Sequence, residues 1–151
     1  MSIFSSINTN ASALTAQRLR MDVVSSNIAN AQTTRATMDD DGNYEPYRRK
    51  MVTFEPKNDR FQSFLQKASR AKRRDVTGVS VRQIVEDEEP FKTSYNPNHP
   101  DANEDGYVEL PNVDPLREIV DLMSATRSYE ANITSLNANK DMLLKTLEIG
   151  K

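Results

Sequence analysis

The 151 residues carry 20 Lys and Arg against 22 Asp and Glu, for a net charge of −2, with one His and no Cys. Leu, Ile, Val and Phe supply 32 of the 151, about 21%, just above the roughly 20% below which chains tend to stay disordered. This is one domain's worth of chain with little material for a core. The missing cysteine excludes disulfides, zinc-thiolate sites and thiol nucleophiles. The longest apolar run, Met142-Leu143-Leu144, falls far short of the roughly 20 residues that cross a bilayer, which argues against direct membrane insertion. The opening MSIFSSINTNASALTAQ has no basic residue before Arg18 and no continuous apolar stretch, the opposite of a cleaved secretory signal.

Residues 1–34, read as an N-terminal assembly helix, hold no Gly or Pro, only three charges (Arg18, Arg20, Asp22), and 21 Ser, Thr, Asn, Gln or Ala. Phe4, Ile7, Ala11, Leu14, Arg18, Met21, Ser25 and Ile28 alternate spacings of 3 and 4, the period of a helical seam, and Val24 thickens the stripe. The Ser/Thr/Asn-rich remainder competes for backbone hydrogen bonds, so this helix needs a packing partner.

Residues 35–113 hold six of the seven prolines and three of the four glycines, which marks a strand-and-loop insert. Strands are expected at 50–54, 77–86, 91–95 and 106–110 from their apolar alternation between breakers. Within the insert, residues 60–74 carry six basic side chains and no acid.

Residues 114–151 read as a C-terminal coiled-coil helix. Asp114 suits the N-cap, Pro115 the first turn and Gly150 the stop. Ile119, Leu122, Thr126, Tyr129, Ile133, Leu136, Lys140, Leu143 and Leu147 form the expected seam, over a helix of roughly 50 Å.

The fold class that follows is mainly α, with long N- and C-terminal helices pairing as a coiled coil and a small β-rich insert of short strands between them. A polar insert cannot cover the outer faces of both helices, so apolar surface is left for neighbours. When that surface meets a different patch on the next subunit, the contact propagates into a ring or filament. The competing architecture is a monomeric helical hairpin with a β-rich cap.

Chemistry finds little support. Asp101-Ala102-Asn103-Glu104-Asp105-Gly106 resembles the start of a calcium loop, but position 12 is Asn112 where a bidentate Glu is needed, and Pro97, Pro100 and Pro111 stand where the flanking helices should be. A tight Asx- and Gly-rich turn is the expectation there. His99, alone, reads as a hydrogen-bonded loop residue. No metal, cofactor or catalytic site is expected, and the chain reads as no enzyme. The basic cluster, with Arg70, Lys72, Arg73 and Arg74, lacks aromatic platforms and sits in a slightly acidic protein, so docking to an acidic protein surface is expected rather than nucleic acid. Glu86, Asp87, Glu88 and Glu89 offer one complement on an adjacent subunit.

Several blocks together resemble the bacterial flagellar basal-body rod family: Ser26 to Ala31 (SNIANA), Pro46-Tyr47-Arg48, Tyr95 to Val113, Met123 to Asn132 and Lys140 to Gly150. The likeness covers about two thirds of the chain. Gln32 to Thr37 departs from the family's Thr-Pro-Gly-Tyr-like turn, and residues 57–75 match no family block. The resemblance implies a structural rod subunit that transmits torque from rotor to hook, with paired terminal helices in the inner layers. It implies location in the rod within the periplasmic space and export by the flagellar type III apparatus without a cleaved signal. Its partners would be other rod proteins, copies of itself and the MS-ring/rod-adaptor end of the basal body. Phe4, Ile7, Leu14, Met21, Val24, Ser26, Asn27, Ile28 and Asn30 would serve assembly on the first helix, and Ile119, Leu122, Tyr129, Ile133, Leu136, Leu143 and Leu147 on the last. The isolated chain would show little protection at residues 1–30 and in the final helix. The alternative reading is a soluble coiled-coil adaptor or chaperone-like module that exchanges on a single partner.

Overall fold

The structure, a computed structural model, describes residues 3–38, 42–57 and 78–149, apart from the side chains of residues 3 and 4. Helix α1 spans Ile3–Ala29 and helix α2 Pro115–Ile149. Between them lie β1 (Thr37–Met38), β2 (Tyr44–Glu45), β3 (Lys50–Pro56), β4 (Val79–Glu86), β5 (Lys92–Tyr95) and β6 (Tyr107–Leu110). The strands form three two-stranded pairs, β1 with β2, β3 with β4 and β5 with β6. The expected fold class is the one found: two long terminal helices with short antiparallel pairs between them. The basic stretch 60–74, and with it Arg70, Lys72, Arg73 and Arg74, lies outside the described residues, as does the Phe4 side chain.

Local chemistry explains the element ends. Asp114 caps α2, its Oδ1 accepting from the Leu116 N–H at 3.1 Å and its main-chain oxygen from Glu118 at 3.0 Å, while Pro115 fills a position whose N–H has no helical partner. No Gly or Pro then interrupts the helix before Ile149. At the end of α1, the Asn30 amide nitrogen donates to the Ser26 carbonyl at 2.9 Å and its oxygen accepts from Thr33 Oγ1 at 3.2 Å. The same Ser26 carbonyl also accepts from the Asn30 main-chain N–H at 3.1 Å, so the amide reinforces the last turn of the helix with a second donor. The chain turns at Thr33 and enters β1, with no foreseen strand signal because β1 and β2 are two residues each.

The β5–β6 hairpin pairs Lys92 with Leu110 and Tyr95 with Tyr107. Gly106 closes its loop at φ 79°, where a Cβ would lie 3.0 Å from Tyr95 Cε2 and 3.2 Å from Pro97 Cβ, so both the backbone angle and the space require glycine. Asn103 Oδ1 accepts from the Asp105 and Tyr107 N–H groups at 3.1 and 2.8 Å, an Asx turn. The oxygen that a calcium loop would turn toward a cation is spent on the backbone.

The chain divides into two compact units, each drawing on both helices. The first comprises residues 1–19, 53–83 and 125–151, and the second residues 20–52 and 84–124. In the first, Asn139 Nδ2 donates to Ser6 Oγ at 2.9 Å and Asn10 Nδ2 to Ser135 Oγ at 3.1 Å. In the second, Asn27 meets Glu118 at 2.9 Å and Arg20 meets Asp121 at 3.3 Å. Both pairs of contacts descend one helix as they climb the other, so α1 and α2 run antiparallel in each unit.

The face that α2 turns inward differs from the seam read from its apolar spacing. Leu122, Tyr129, Leu136 and Leu143 are half-buried, but Ile119, Ile133 and Leu147 are 47%, 37% and 70% exposed. The covered positions alternating with the four are Glu118, Ala125, Asn132 and Asn139, one residue earlier and so rotated about 100°. On α1 the fully buried side chains are Ala16, Val23, Val24 and Asn27, while Ala11, Arg18 and Ser25 of the expected stripe are exposed and Ile7, Leu14, Met21 and Ile28 half-buried. The cause is chemical: the helix faces meet through amides, hydroxyls, a carboxylate and alanines. Those groups need partners once they leave water, and the apolar residues beside them are pushed to the flank.

Candidate functional site

The second unit is built around buried polar side chains. Asn27 and Glu118 are both 0% exposed, and Arg49 is 7% exposed. Asn27 uses every hydrogen-bonding capacity it has. Its Nδ2 donates to the Lys50 carbonyl at 2.8 Å and to Glu118 Oε2 at 2.9 Å, and its Oδ1 accepts from the Lys50 N–H at 3.0 Å and from Tyr47 Oη at 3.1 Å. The side chain thus holds α1 against the start of β3 as a strand neighbour would.

Arg49 gathers the rest. Its Nε donates to Glu118 Oε1 at 2.7 Å, its Nη1 to Asp87 Oδ2 at 3.1 Å, and its Nη2 lies 3.8 Å from Asp121 Oδ2. Its own N–H donates to Asn112 Oδ1 at 2.8 Å, and Asn112 Nδ2 returns to the carbonyls of Asp87 and Glu89 at 3.2 and 3.1 Å. Burial works to lower the Arg49 guanidinium, but hydrogen bonds to Glu118 and Asp87 outweigh it and hold the group above its ordinary value. The Glu89 N–H, more than Arg49, holds the Asp87 carboxyl below the usual carboxylate range. Five separate stretches of chain therefore meet at one ionic centre, with each group paired.

A second tie joins the segment after α1 to the β5–β6 loop. Thr34 Oγ1 donates to Asp101 Oδ2 at 2.7 Å and Arg35 Nε to Asp101 Oδ1 at 2.6 Å. The Arg35 hydrogen bond, with Thr34 next, keeps the Asp101 carboxyl low. His99 Nδ1 accepts from the Asp101 N–H at 3.1 Å, as expected of a hydrogen-bonded loop histidine. Among the described residues no group of three or more His, Asp or Glu is placed to hold a metal ion, and no helix is long and apolar enough to cross a membrane.

What remains outside is apolar. On the second unit's part of α2, Leu116, Ile119, Val120 and Met123 are 75%, 47%, 61% and 60% exposed, at the spacing of one helix face. On the first unit's part, Ile133, Met142, Leu144, Leu147 and Ile149 are exposed. Among the described residues the polar groups of the ionic centre are paired within, with Gln17 Oε1 on α1 a buried oxygen that has no partner, and apolar side chains stand exposed without, the arrangement of an assembling part.

The comparisons with known proteins agree. Residues 7–37 match the family described as flagella basal body rod protein, and residues 104–149 match the flagellar basal body rod FlgEFG protein C-terminal family. The flagellar basal-body rod protein FlgC of Bacillus subtilis (strain 168) is 56% identical over 151 residues, all of both chains. The chain belongs to the FlgC family of flagellar basal-body rod proteins. The FlgC of Borreliella burgdorferi is 44% identical over 99% of this chain and 98% of its own. That of Escherichia coli O6:H1 is 41% identical over 93% and 92%. The FlgC relatives are structural rod proteins, and this chain is one of a structural rather than an enzymatic class.

Among the assembly residues expected on the first helix, Asn27 sits in the ionic centre and Val24 in the core beside it, while Asn30 donates to the Ser26 carbonyl in the last turn of α1 and Ser26 Oγ lies 3.4 Å from Tyr47 Oη. Asp87 stands apart from its acidic neighbours: it turns inward to Arg49, whereas Glu86, Glu88 and Glu89 are exposed. Arg49, Asn112, Glu118 and Asp121 were not foreseen. Their signal was present but bland, since Arg49 abuts the Pro46-Tyr47-Arg48 block, Asn112 lies within Tyr95 to Val113, and Glu118 reads as an ordinary first-turn acid that suits the helix dipole.

Proposed function

We propose that this FlgC-family chain is built into the flagellar rod through its terminal helices and carries torque along the axis from rotor to hook. The observation that carries the reading is the set of apolar side chains left exposed along α2, from Leu116 to Ile149. An isolated soluble subunit gains nothing from them, and a polymer buries them. Ionic contacts buried in the second unit suit a part under load, because removing either member strands a charge away from water.

The partners at the coarse level are other flagellar rod and basal-body proteins. At the finer level the reading adds copies of this chain, the MS-ring/rod-adaptor end of the basal body, and the flagellar type III export apparatus. It also places the assembled chain in the periplasmic space, reached without a cleaved signal. A first unit with so few buried side chains supports passage in an unfolded state. The assembly residues are proposed to be Ile119, Ile133 and Leu147 on the flank of α2, with Leu122, Tyr129, Leu136 and Leu143 beside them. Ile7, Leu14, Met21 and Ile28 take the same role on α1.

Replacing Ile119 and Leu147 together by Ser tests this. Surface substitutions of this kind shift stability by within about 0.5 kcal/mol, so the purified variant should unfold as the parent does. Its amount in isolated basal bodies should nevertheless fall sharply, with loss of motility. Parent-level incorporation of that variant would refute the role assigned to this surface.

A further inference from the structure

Arg35 shows, within the chain, how a guanidinium is received on one face of the second unit. Its Cζ lies 5.2 Å from the centre of the Tyr44 ring and its Nε donates to Asp101. Beside this pair opens a cleft of about 390 Å³, walled by Tyr44, Pro46 and Tyr107 and edged by Asn103, Asp101 and Glu109. Tyr44 and Tyr107 are 55% and 46% exposed, an unusual investment of aromatic surface in a chain with so small a core. Glu104, Asp105 and Glu109 form no ion pair among the described residues. No Lys or Arg occurs between Lys92 and Arg117 to neutralise them. Aromatic faces beside uncompensated carboxylates are the chemistry that receives an Arg or Lys side chain.

The other acidic surface suits such a ligand less well. Of Glu86 to Glu89, Asp87 is committed to Arg49, and the neighbouring Phe91 ring is covered by Arg48, whose Cζ lies 4.4 Å from its centre. In the cleft Arg35 likewise takes Asp101 and one face of Tyr44, but Glu109 and the second ring, Tyr107, have no cation against them among the described residues. The chain itself supplies the complementary charge: residues 60–74 hold Arg60, Lys67, Arg70, Lys72, Arg73 and Arg74 with no acid among them.

We propose that the cleft between Tyr44, Tyr107 and Glu109 receives the basic segment Arg60–Arg74 of a second copy of this chain. The proposal rests on the rod reading, since assembly is what brings two copies side by side. Donor and acceptor are different surfaces, so the contact is head-to-tail and each copy can give and receive once. Being ionic and exposed, it weakens with salt.

The chain has no cysteine, which makes a disulfide test clean. Glu109→Cys and Arg73→Cys are expressed as separate chains in one cell, and isolated basal bodies are oxidised. A covalent dimer of this chain is expected from the co-expressed pair and from neither variant alone, and Tyr44→Ala with Tyr107→Ala should reduce its yield several-fold. Normal incorporation with no dimer would overturn the proposal. So would a bond from either cysteine to a different rod protein, or a bond within one chain when both changes are made in it. A charge exchange keeps the test decisive if a cysteine variant is poorly incorporated. Glu109→Lys should lower the salt concentration at which the subunit is stripped from basal bodies, and adding Arg73→Glu should restore it. Absence of that rescue would overturn the contact. A parent chain missing from basal bodies would instead refute the rod reading itself.

Discussion

Asn27 is the residue on which the second unit's register turns, because its amide is the only kind of side chain that can give two hydrogen bonds and take two at that spot. Asn27→Asp keeps the shape and removes both donors. A carboxylate would then face the Lys50 carbonyl at 2.8 Å and Glu118 Oε2 at 2.9 Å. An uncompensated buried charge costs about 3–5 kcal/mol, whereas Asn27→Ala, which leaves unsatisfied but uncharged partners, costs about 1–3 kcal/mol. Urea unfolding of the isolated chain should rank the two in that order, and equal losses would remove the electrostatic part of the argument. The same centre sets a pH dependence. Asp87 titrates below its ordinary value of 3.8 in the folded chain, so at low pH the unfolded state binds the more protons. Its stabilisation is complete above the ordinary carboxylate range and lost as pH falls through the depressed folded value. Arg49, held above its ordinary value by Glu118 and Asp87 against the effect of burial, stays charged throughout. Unfolding midpoints measured from about pH 6 down to about pH 2 should therefore fall less steeply in Asp87→Asn than in the parent. Parallel curves would exclude Asp87 as a source of the acid sensitivity.

At the scale of elements, what could be read in advance depended on whether the deciding interaction was local. Helix α2 was legible because Asp114, Pro115 and an uninterrupted 35-residue run act on their own neighbours. Strands β3 to β6 were legible because breakers and alternation bound them, and the Asx turn at Asn103 because its partners lie two and four residues away. The pairing faces were not. Counting apolar positions favours Ile119, Ile133 and Leu147, yet the faces that close on each other carry Glu118, Ala125 and Asn139. Which face turns inward depends on groups as distant as Ser6 and Arg49. Asp87 illustrates the same limit: within Glu86 to Glu89 nothing local sets it apart, and only Arg49, 38 positions away, draws it inward. The site was half visible for that reason, with Asn27 marked by its block and its ionic partners unmarked.

For the whole molecule the decisive feature is how unevenly burial is shared. Among the described residues the second unit buries Val23, Val24, Asn27, Tyr47, Arg49, Val108, Asn112, Val113 and Glu118, while the first fully buries only Ala16, Gly78 and Ala125. Apolar burial contributes about 25 cal/mol per Å², and two alanines and a glycine remove little area. The first unit's helix segments are also held by exposed or half-exposed amide–hydroxyl contacts, each worth about 1 kcal/mol or less in water. Such segments open locally at low cost. The consequence refines the expectation for the terminal helices, because α1 is divided by burial and not uniform. In the isolated chain, amide exchange should be fast over residues 5–19 and 126–149 and slow over 23–29, 108–113 and 118–122. Within assembled basal bodies the fast segments should become as slow as the rest, since neighbours then cover Leu144, Leu147 and Ile149. Uniform protection in the isolated chain would mean that the first unit stands without neighbours, and fast exchange at 23–29 would mean that the Asn27–Glu118–Arg49 centre does not form before assembly. Either pattern would break the link between exposed apolar flanks and dependence on the polymer.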